Sequence, residues 1–225
     1  PVVFPVSVKA MSQFEEVTIG DARLILGDCL EGLQTLPKVD AIITDPPYGI
    51  GLEYGEYQDS VDNLAALGPK IIEVARGLAR VVSVTTGNLN QYLYPKPTWT
   101  LCWFNRAGAG SGPWGFSCWQ PIMCYGPDPY LAAGKGRRPD FIEWSEAAEK
   151  NGHPCPKPYQ FMFRWITRVS LQGDIIDPFL GSGTTLIAAH RLDRIARGIE
   201  ISPAYAAVSI KRWEDLTGEK ARRVE

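Results

Sequence analysis

Four residues that follow an apolar run in the segment IITDPPYGIG have the chemistry to hold an amino group: Asp45, Pro46, Pro47 and Tyr48. The apolar run is typical of a buried strand, and proline cannot continue a strand's hydrogen-bond ladder, so we expect Asp45 at the strand's carboxyl end. There the Asp45 carboxylate and the Pro46 carbonyl are acceptors, and neither proline adds a competing N–H donor. Tyr48 adds a flat aromatic face. The segment therefore predicts a site for a planar ring that carries an exocyclic NH2 group.

Such a site could make a poor nucleophile reactive. The exocyclic amine of adenine or cytosine is weakly nucleophilic because its lone pair is delocalised into the ring. Hydrogen bonds from the amine to Asp45 and to the Pro46 carbonyl would localise that lone pair, and they strengthen as positive charge develops on nitrogen. A base in a duplex is out of reach, so we expect it to be flipped out and stacked on Tyr48. The simpler alternative is a proline turn after a strand.

A second segment has the features of a nucleoside site. A predicted strand ends at Asp177, the turn Gly181-Ser182-Gly183 opens a helix, and the next strand ends at Glu200. Glycines let the backbone approach a ligand closely, and the acid that ends the following strand can accept both ribose hydroxyls. The turn has neither the lysine of a triphosphate-binding loop nor the third glycine of a dinucleotide fingerprint. A nucleoside without phosphate fits better, and S-adenosylmethionine (AdoMet) is the obvious one, although the glycines alone are also compatible with an ordinary βα turn.

Both segments lie on strands that alternate with helices. Strands are predicted before Gly27 and at residues 41–44, 80–88, 99–104, 120–126, 174–179 and 196–202, and helices at residues 29–36, 64–79, 156–170, 181–192 and 203–218. This alternation implies an α/β sandwich with a mostly parallel sheet. The polar residues 127–152 are predicted to be loop.

Length and composition restrict the class further. The 225 residues predict one domain, with 45% hydrophobic residues to form its core. Five scattered cysteines and two histidines argue against a metal site, a disulfide framework or a histidine triad, and they favour a reducing cytoplasm. We find no bilayer-spanning run and no signal peptide. Residues 1–10, which precede Met11, are left out of the fold prediction.

The formal net charge of −2 does not point to a nucleic-acid partner, but binding depends on local patches. One candidate patch consists of Lys135, Arg137 and Arg138. The other, which ends with Arg222 and Arg223, is more typical of a frayed tail.

With both motifs in view, the chain resembles the amino-methyltransferases that act on DNA, specifically their permuted β class. The DPPY tetrapeptide resembles that family's catalytic motif, and DPFLGSGTT resembles its AdoMet motif, with Phe179, Gly181 and Gly183 in the FxGxG positions. Glu200 matches the ribose-binding acid, and Asp28 matches the acid that flanks the cofactor adenine. The catalytic motif comes first and the AdoMet motif last, which is the permuted order.

The resemblance implies a Rossmann-like methyltransferase fold, AdoMet as cofactor and double-stranded DNA as partner, with no metal and no membrane. The segment that begins at His153 resembles the helix that touches the methionine part of AdoMet, although Cys155 and Pro156 depart from the usual HPTQKP form. The implied cofactor-binding residues are Asp28, Cys29, Asp45, His153, Lys157, Asp177, Phe179, Gly181, Ser182, Gly183, Thr184 and Glu200.

The substrate base and the recognition segment stay open. Asp45 at the first catalytic position resembles the adenine-N6 enzymes, whereas many cytosine-N4 relatives carry serine there. Target recognition is expected from a small insert within residues 107–152, or from residues 49–63. The basic residues Lys135, Arg137 and Arg138 are candidates for binding phosphate or guanine. So small a segment suggests a short site or a homodimer that shares the duplex.

Three rival functions remain to be separated from DNA adenine methylation. The first is methylation of cytosine N4, of RNA or of a small amine. The second is a non-catalytic AdoMet-binding or DNA-binding subunit that needs a partner, which the intact DPPY segment argues against. The third, a nicotinamide-dependent oxidoreductase, is disfavoured by the missing third glycine.

Overall fold

The structure, a computed structural model, describes residues 15–54, 56–106, 108, 110–145 and 155–224. Its strands are β1 (Glu15–Ile19), β2 (Ala22–Leu26), β3 (Val39–Thr44), β4 (Ala79–Thr85), β5 (Trp99–Phe104), β6 (Ser111–Gly112), β7 (Gly115–Phe116), β8 (Trp119–Tyr125), β9 (Phe141–Glu143), β10 (Ile175–Asp177), β11 (Ala196–Glu200) and β12 (Arg222–Arg223). Its α-helices are α1 (Cys29–Gln34), α2 (Val61–Leu78), α3 (Pro129–Ala132), α4 (Tyr159–Val169), α5 (Thr184–His190) and α6 (Pro203–Thr217).

Ten of these strands form one sheet in the order β12-β1-β2-β11-β10-β3-β4-β8-β5-β9, and β6 pairs with β7 in a separate hairpin. The five central strands, from β2 to β4, run parallel to one another. Strand β8 runs antiparallel to both β4 and β5, and β1 runs antiparallel to β2. The predicted α/β class with a mostly parallel sheet is thus confirmed.

Strands from the two ends of the chain interleave at the centre of the sheet. Strand β10 lies beside β3, with Ile175 opposite Ala41, and β11 lies beside β2, with Glu200 opposite Leu26. The carboxyl ends of parallel strands meet at one edge of a sheet, where open α/β folds bind ligands. The DPPY segment and the glycine turn, which are more than a hundred residues apart in sequence, therefore leave the sheet at the same edge.

Helices cover both faces of the sheet, because each carries an apolar stripe. Helices α1 and α2 pack on one face, and α4, α5 and α6 pack on the other. Helix α4 was predicted at residues 156–170, and it begins only after Pro158, which is its N-cap. Its buried residues Phe161, Met162, Trp165, Ile166 and Val169 recur at helical spacing. This packing fixes the helix that follows Lys157 against the parallel core.

Two predictions of irregular structure were wrong. Residues 127–152 contain α3, capped by Asp128, and the strand β9, whose Phe141 pairs with Cys102 of β5. The C-terminal basic run is also not frayed throughout, because Arg222 pairs with Thr18 of β1. In both cases a distant strand supplies the hydrogen-bond partners, and local sequence carries no sign of that partner.

Some predicted features lie outside the described residues, namely residues 1–10 and His153. Within the part of the chain that is described, no helix combines the length and the hydrophobicity needed to cross a bilayer.

Candidate active site

A cavity of about 430 Å³ opens at the carboxyl edge of the parallel strands. This volume falls in the range of roughly 300–1,000 Å³ that is usual for small-molecule sites. Most of the cofactor residues predicted from sequence line it: Asp28, Cys29, Asp45, Lys157, Asp177, Phe179, Gly181, Ser182, Thr184 and Glu200. The residues that follow β2, β3, β10 and β11 thus meet in one space.

The turn after β10 is held open by its own hydrogen bonds. Asp177 is buried, and its carboxylate accepts from the Thr44 hydroxyl at 2.8 Å, the Thr185 hydroxyl at 2.5 Å and the Phe179 N–H at 3.1 Å. Burial raises the pKa of Asp177 to about 6, against the opposing effect of these donors. Asp177 therefore ties β10 to β3 and fixes the start of the glycine turn.

Gly183, the N-cap of α5, packs behind the cavity wall. Its φ of +80° lies in the left-handed region, and a Cβ at this position would come within 2.8 Å of the Ser209 Oγ of α6. Ser209 in turn donates to the carbonyl of Gly181 at 2.8 Å. Only glycine allows this approach of the turn to α6, which explains the second glycine of the motif.

Glu200 lines the cavity beside the glycine turn. Its carboxylate accepts from the Gly181 N–H at 2.6 Å and from the Ser202 N–H at 2.9 Å. Burial raises the pKa of Glu200 to about 7. A carboxylate offers about four lone-pair sites, so each oxygen keeps capacity for a ligand hydroxyl.

Asp28 and Cys29 form the opposite wall. Asp28 caps α1, where its Oδ1 accepts from the N–H groups of Leu30 at 2.8 Å and Glu31 at 3.1 Å. The Cys29 thiol is buried, which raises its pKa to about 12 and keeps it protonated. This wall therefore offers a rigid acid beside an uncharged thiol.

Asp45 lies at the centre of a dense polar network. Its Oδ1 accepts from the Tyr48 hydroxyl at 2.5 Å and from the Thr85 hydroxyl at the end of β4, and its Oδ2 pairs with the Lys157 ammonium. The side chains of Lys157 and Asp45 are only 7% and 19% exposed. Burial disfavours the ammonium, but the Asp45 carboxylate, together with Cys155 and Tyr54, outweighs it and raises the pKa of Lys157 above its usual value. Lys157 thus stays charged and orients the carboxylate.

Tyr48 lies behind Asp45 and outside the cavity lining. Gly87, at a φ of +64°, approaches its ring so closely that a Cβ there would lie 2.9 Å from Cδ2. The Lys157 ammonium lies 5.3 Å from the ring centroid, and the Tyr48 hydroxyl lies 3.3 Å from the Gln120 amide oxygen. Burial, together with Asp45, raises the pKa of Tyr48. Stacking of a flipped base on this ring stays a prediction.

Two residues that the sequence analysis missed brace the loop after Tyr48. The buried Asp59 accepts from the N–H groups of Gly49 at 2.5 Å, Ile50 at 3.2 Å and Leu52 at 3.0 Å. Asn90 donates to the Tyr48 carbonyl at 2.7 Å. Their signal in sequence is faint, because polar residues in loops are common. Thr85 was equally hidden, since it lies within the strand predicted at residues 80–88.

The basic segment of Lys135, Arg137 and Arg138 does not line the cavity. All three side chains are exposed, and the Arg138 guanidinium lies 4.9 Å from the ring centroid of Tyr130. The segment precedes β9, which runs parallel to β5, so the strand register directs it towards the sheet edge opposite the cavity. Contact of these residues with DNA stays a prediction, and this position does not favour it. Among the described residues there is no acid, cysteine and histidine cluster that could hold a metal ion.

Comparisons with known proteins converge on one kind of enzyme. A family model described as DNA methylase matches residues 98–211. The type II methyltransferase M.HpaI of Haemophilus parainfluenzae is 25% identical over 238 residues, which cover 86% of this chain and 74% of that protein.

Solved structures show the same fold. The PvuII DNA methyltransferase, titled cytosine-N4-specific, superposes with a TM-score of 0.66 at 17% identity, covering 89% of this chain and 92% of that one. The M1.HpyAVI–SAM complex gives a TM-score of 0.61 at 20% identity, covering 84% and 97% of the two chains.

Proposed function

Because the chain belongs to the DNA methylase family and is a DNA methyltransferase of the N6/N4 type, we propose that it methylates the N6 amine of adenine in double-stranded DNA. The observation that carries this proposal is that Asp45 and Glu200 line one cavity. An acceptor for an amine thereby lies in the same space as an acceptor for a ribose.

The cofactor is S-adenosylmethionine, which supplies an electrophilic methyl group on its sulfonium. The residues present fit this molecule, because Glu200 keeps acceptor capacity for ribose hydroxyls while the glycine turn brings backbone close to the ligand. Asp28 is proposed to lie at the adenine end of the site. A cavity without a phosphate-binding lysine in its glycine turn suits a nucleoside that carries no phosphate.

Asp45 is proposed to activate the substrate amine. Its two oxygens offer about four acceptor sites, and Tyr48, Thr85 and Lys157 occupy three. One site is left for an N–H of the flipped base, and the Pro46 carbonyl is the candidate acceptor for the other. These acceptors gain strength as the nitrogen becomes positive, so they stabilise the transition state more than the ground state.

Adenine is preferred to cytosine on the resemblance of Asp45 to the first catalytic residue of adenine-N6 enzymes. Cytosine N4 is the second candidate, since the chemistry at Asp45 serves either amine. The insert within residues 107–152 is proposed to read a short site, and a homodimer would extend it. Type II methyltransferases among the relatives suggest a role in restriction–modification.

Sequencing that detects modified bases in DNA from cells that express the protein tests this proposal directly. We expect N6-methyladenine within one short motif, and none in cells that express Asp45→Ala. Mass analysis of nucleosides from the same DNA separates N6-methyladenine from N4-methylcytosine, and the cytosine product would refute the adenine assignment. Methylation of plasmid DNA by the purified protein alone would exclude a subunit that depends on a partner. No methylated base in either experiment would refute the proposed function.

A further inference from the structure

The sheet edge that holds the cavity also carries a group of exposed apolar side chains. Ile50 follows the DPPY segment, Leu89 and Tyr92 follow β4, and Trp114 and Phe116 lie on the β6–β7 hairpin. Clustered exposed apolar residues mark a binding surface, whereas single ones do not. All of these residues lie in segments that leave or enter the sheet at the edge that holds the cavity.

The β6–β7 hairpin connects the end of β5 to the start of β8 at this edge of the sheet. Ser111 pairs with Phe116 and Gly112 with Gly115, so Trp114 lies in the two-residue turn at its tip. Trp114 is 102% exposed and Phe116 is 83% exposed. A fully exposed indole lacks the burial that normally stabilises tryptophan. Such exposure is typical of a side chain that becomes buried when a partner binds.

Hydrogen bonds fix the base of the hairpin to the catalytic loops. The Asn88 amide, next to the glycine that contacts Tyr48, donates to the Ser117 hydroxyl at 2.8 Å and to the Trp119 carbonyl at 2.9 Å. Gln120, whose amide oxygen lies 3.3 Å from the Tyr48 hydroxyl, follows immediately. Trp114 is six residues from Gln120, so their Cα atoms lie within about 21 Å of each other. A duplex that presents a base to Asp45 would therefore also meet the hairpin.

We propose that Trp114 is a wedge that inserts into the DNA stack and fills the space left by the flipped target base. The proposal rests on the proposed function. Apolar side chains inserted between base steps unstack and kink duplex DNA, and an aromatic ring recovers stacking energy with any base. No charged residue occurs between Arg106 and Asp128, so this segment is suited to base faces and not to phosphates.

A second copy of the chain is the rival occupant of this surface. Two aromatic side chains bury about 150–250 Å² each, which gives roughly 300–500 Å² for the hairpin. A stable protein interface needs about 800 Å² per partner, so the hairpin alone is too small. A single projecting ring is better matched to the gap between two base steps.

The test compares Trp114→Ala with Trp114→Phe and with Trp99→Ala. Trp99 is also an exposed tryptophan, at 61%, but it begins β5 at the edge opposite the cavity. Each variant is assayed for methyl transfer to a duplex that contains the recognition site, and to the same duplex with the target base mismatched. A mismatched base is already weakly stacked and needs less help to leave the helix.

We expect Trp114→Ala to lower kcat/KM on the matched duplex by about 5- to 150-fold, the effect of losing one stacking contact. On the mismatched duplex its activity should approach that of the unaltered protein, and Trp114→Phe and Trp99→Ala should stay close to normal on both. An equal loss on both duplexes, or no loss, would overturn the wedge. A change in the sedimentation of the free Trp114→Ala protein would also overturn the wedge, because that result would assign the hairpin to self-association.

A binding assay separates failure of this proposal from failure of the proposed function. Fluorescence anisotropy with a labelled duplex should show weaker binding for Trp114→Ala than for Trp99→Ala. If the unaltered protein methylates no DNA but this difference appears, the catalytic assignment fails and the hairpin contact stands. If neither methylation nor the difference appears, both are overturned.

Discussion

The ion pair between Lys157 and Asp45 predicts a stability effect that is separable from activity. Asp45→Asn keeps the shape of the side chain but replaces the charged carboxylate that faces the ammonium with a neutral amide. Lys157 would then be a charge that is only 7% exposed and has lost its carboxylate. Removing one partner of a buried pair costs about 3–5 kcal/mol, and since Asp45 is 19% exposed we take about 3 kcal/mol.

For a domain of this size, each kcal/mol shifts the melting temperature by about 2–4 °C, so Asp45→Asn should lower it by roughly 6–12 °C. Lys157→Met leaves a carboxylate that still accepts from Tyr48 and Thr85, and it should cost less. The double variant Asp45→Asn/Lys157→Met has no unpaired charge and should recover most of the loss, although it should stay inactive.

Thermal unfolding followed by circular dichroism, without cofactor, measures all four proteins of this cycle. The stabilities of the two single variants and of the double variant, each relative to the unaltered protein, give the coupling energy between the two side chains. Equal melting temperatures for Asp45→Asn and the double variant would refute the argument, because relief of the unpaired ammonium is its only source of recovery. Methyl transfer by the double variant at the normal rate would refute the role of Asp45.

Four further predictions concern the cavity and the loops that support it. Burial raises the pKa of Glu200 from its ordinary value of 4.5 to about 7 in the folded protein. AdoMet affinity measured by calorimetry should therefore rise as pH increases from about 6 to about 8, and Glu200→Gln should flatten this dependence. Because of the same shift, the folded chain binds the Glu200 proton more tightly than the unfolded chain does, so stability falls as pH rises from about 4.5 to about 7. Denaturant titrations of Glu200→Gln should show a smaller loss of stability over this pH range. Gly183→Ala should lower the free energy of unfolding in urea by about 2–4 kcal/mol, because backbone strain and a clash with Ser209 add. Gly218→Ala, at a φ of +75° with open space around it, should cost only about 1 kcal/mol. Equal losses for the two variants would contradict the clash. Asp59→Asn should lower the methylation rate by roughly 10- to 100-fold, because the loop after Tyr48 would be misplaced. AdoMet affinity should stay unchanged. A loss of AdoMet affinity would instead place Asp59 in the cofactor site.

The two motifs could be predicted because each is local. Asp45 directly follows an apolar strand and precedes two prolines, and Glu200 ends the strand that comes after the glycine turn. The local pattern therefore located both residues. Parallel strands then bring them together whatever their order in the chain. In open α/β folds these carboxyl ends form the edge of the sheet that binds ligands.

The partners of Asp45 could not be predicted, because they come from distant parts of the chain. Thr85 is 40 residues away and Lys157 is 112 residues away. The sequence analysis assigned Lys157 to the cofactor through its resemblance to a motif, and a lysine in a motif does not reveal which carboxylate it faces. That information depends on how α4 packs against the sheet.

The sequence also did not show which tryptophan side chains are exposed. Trp165 is buried because it lies on the apolar stripe of α4, and helical spacing would predict that. Trp114 has glycines on both sides of its turn and no periodic pattern, so its burial could not be judged from sequence. The structure shows that it is fully exposed in the turn of the β6–β7 hairpin.

The charges that line the cavity explain why a cationic nucleoside fits it. Four carboxyl groups, Asp28, Asp45, Asp177 and Glu200, face two lysines, Lys70 and Lys157. Lys157 is already paired with Asp45, so the remaining excess is negative. Burial without enough cations holds the pKa values of Asp177 and Glu200 at about 6 and about 7. A ligand with a sulfonium charge would supply the missing cation, and by favouring the ionised form of Glu200 it would strengthen the proposed acceptor for its own ribose.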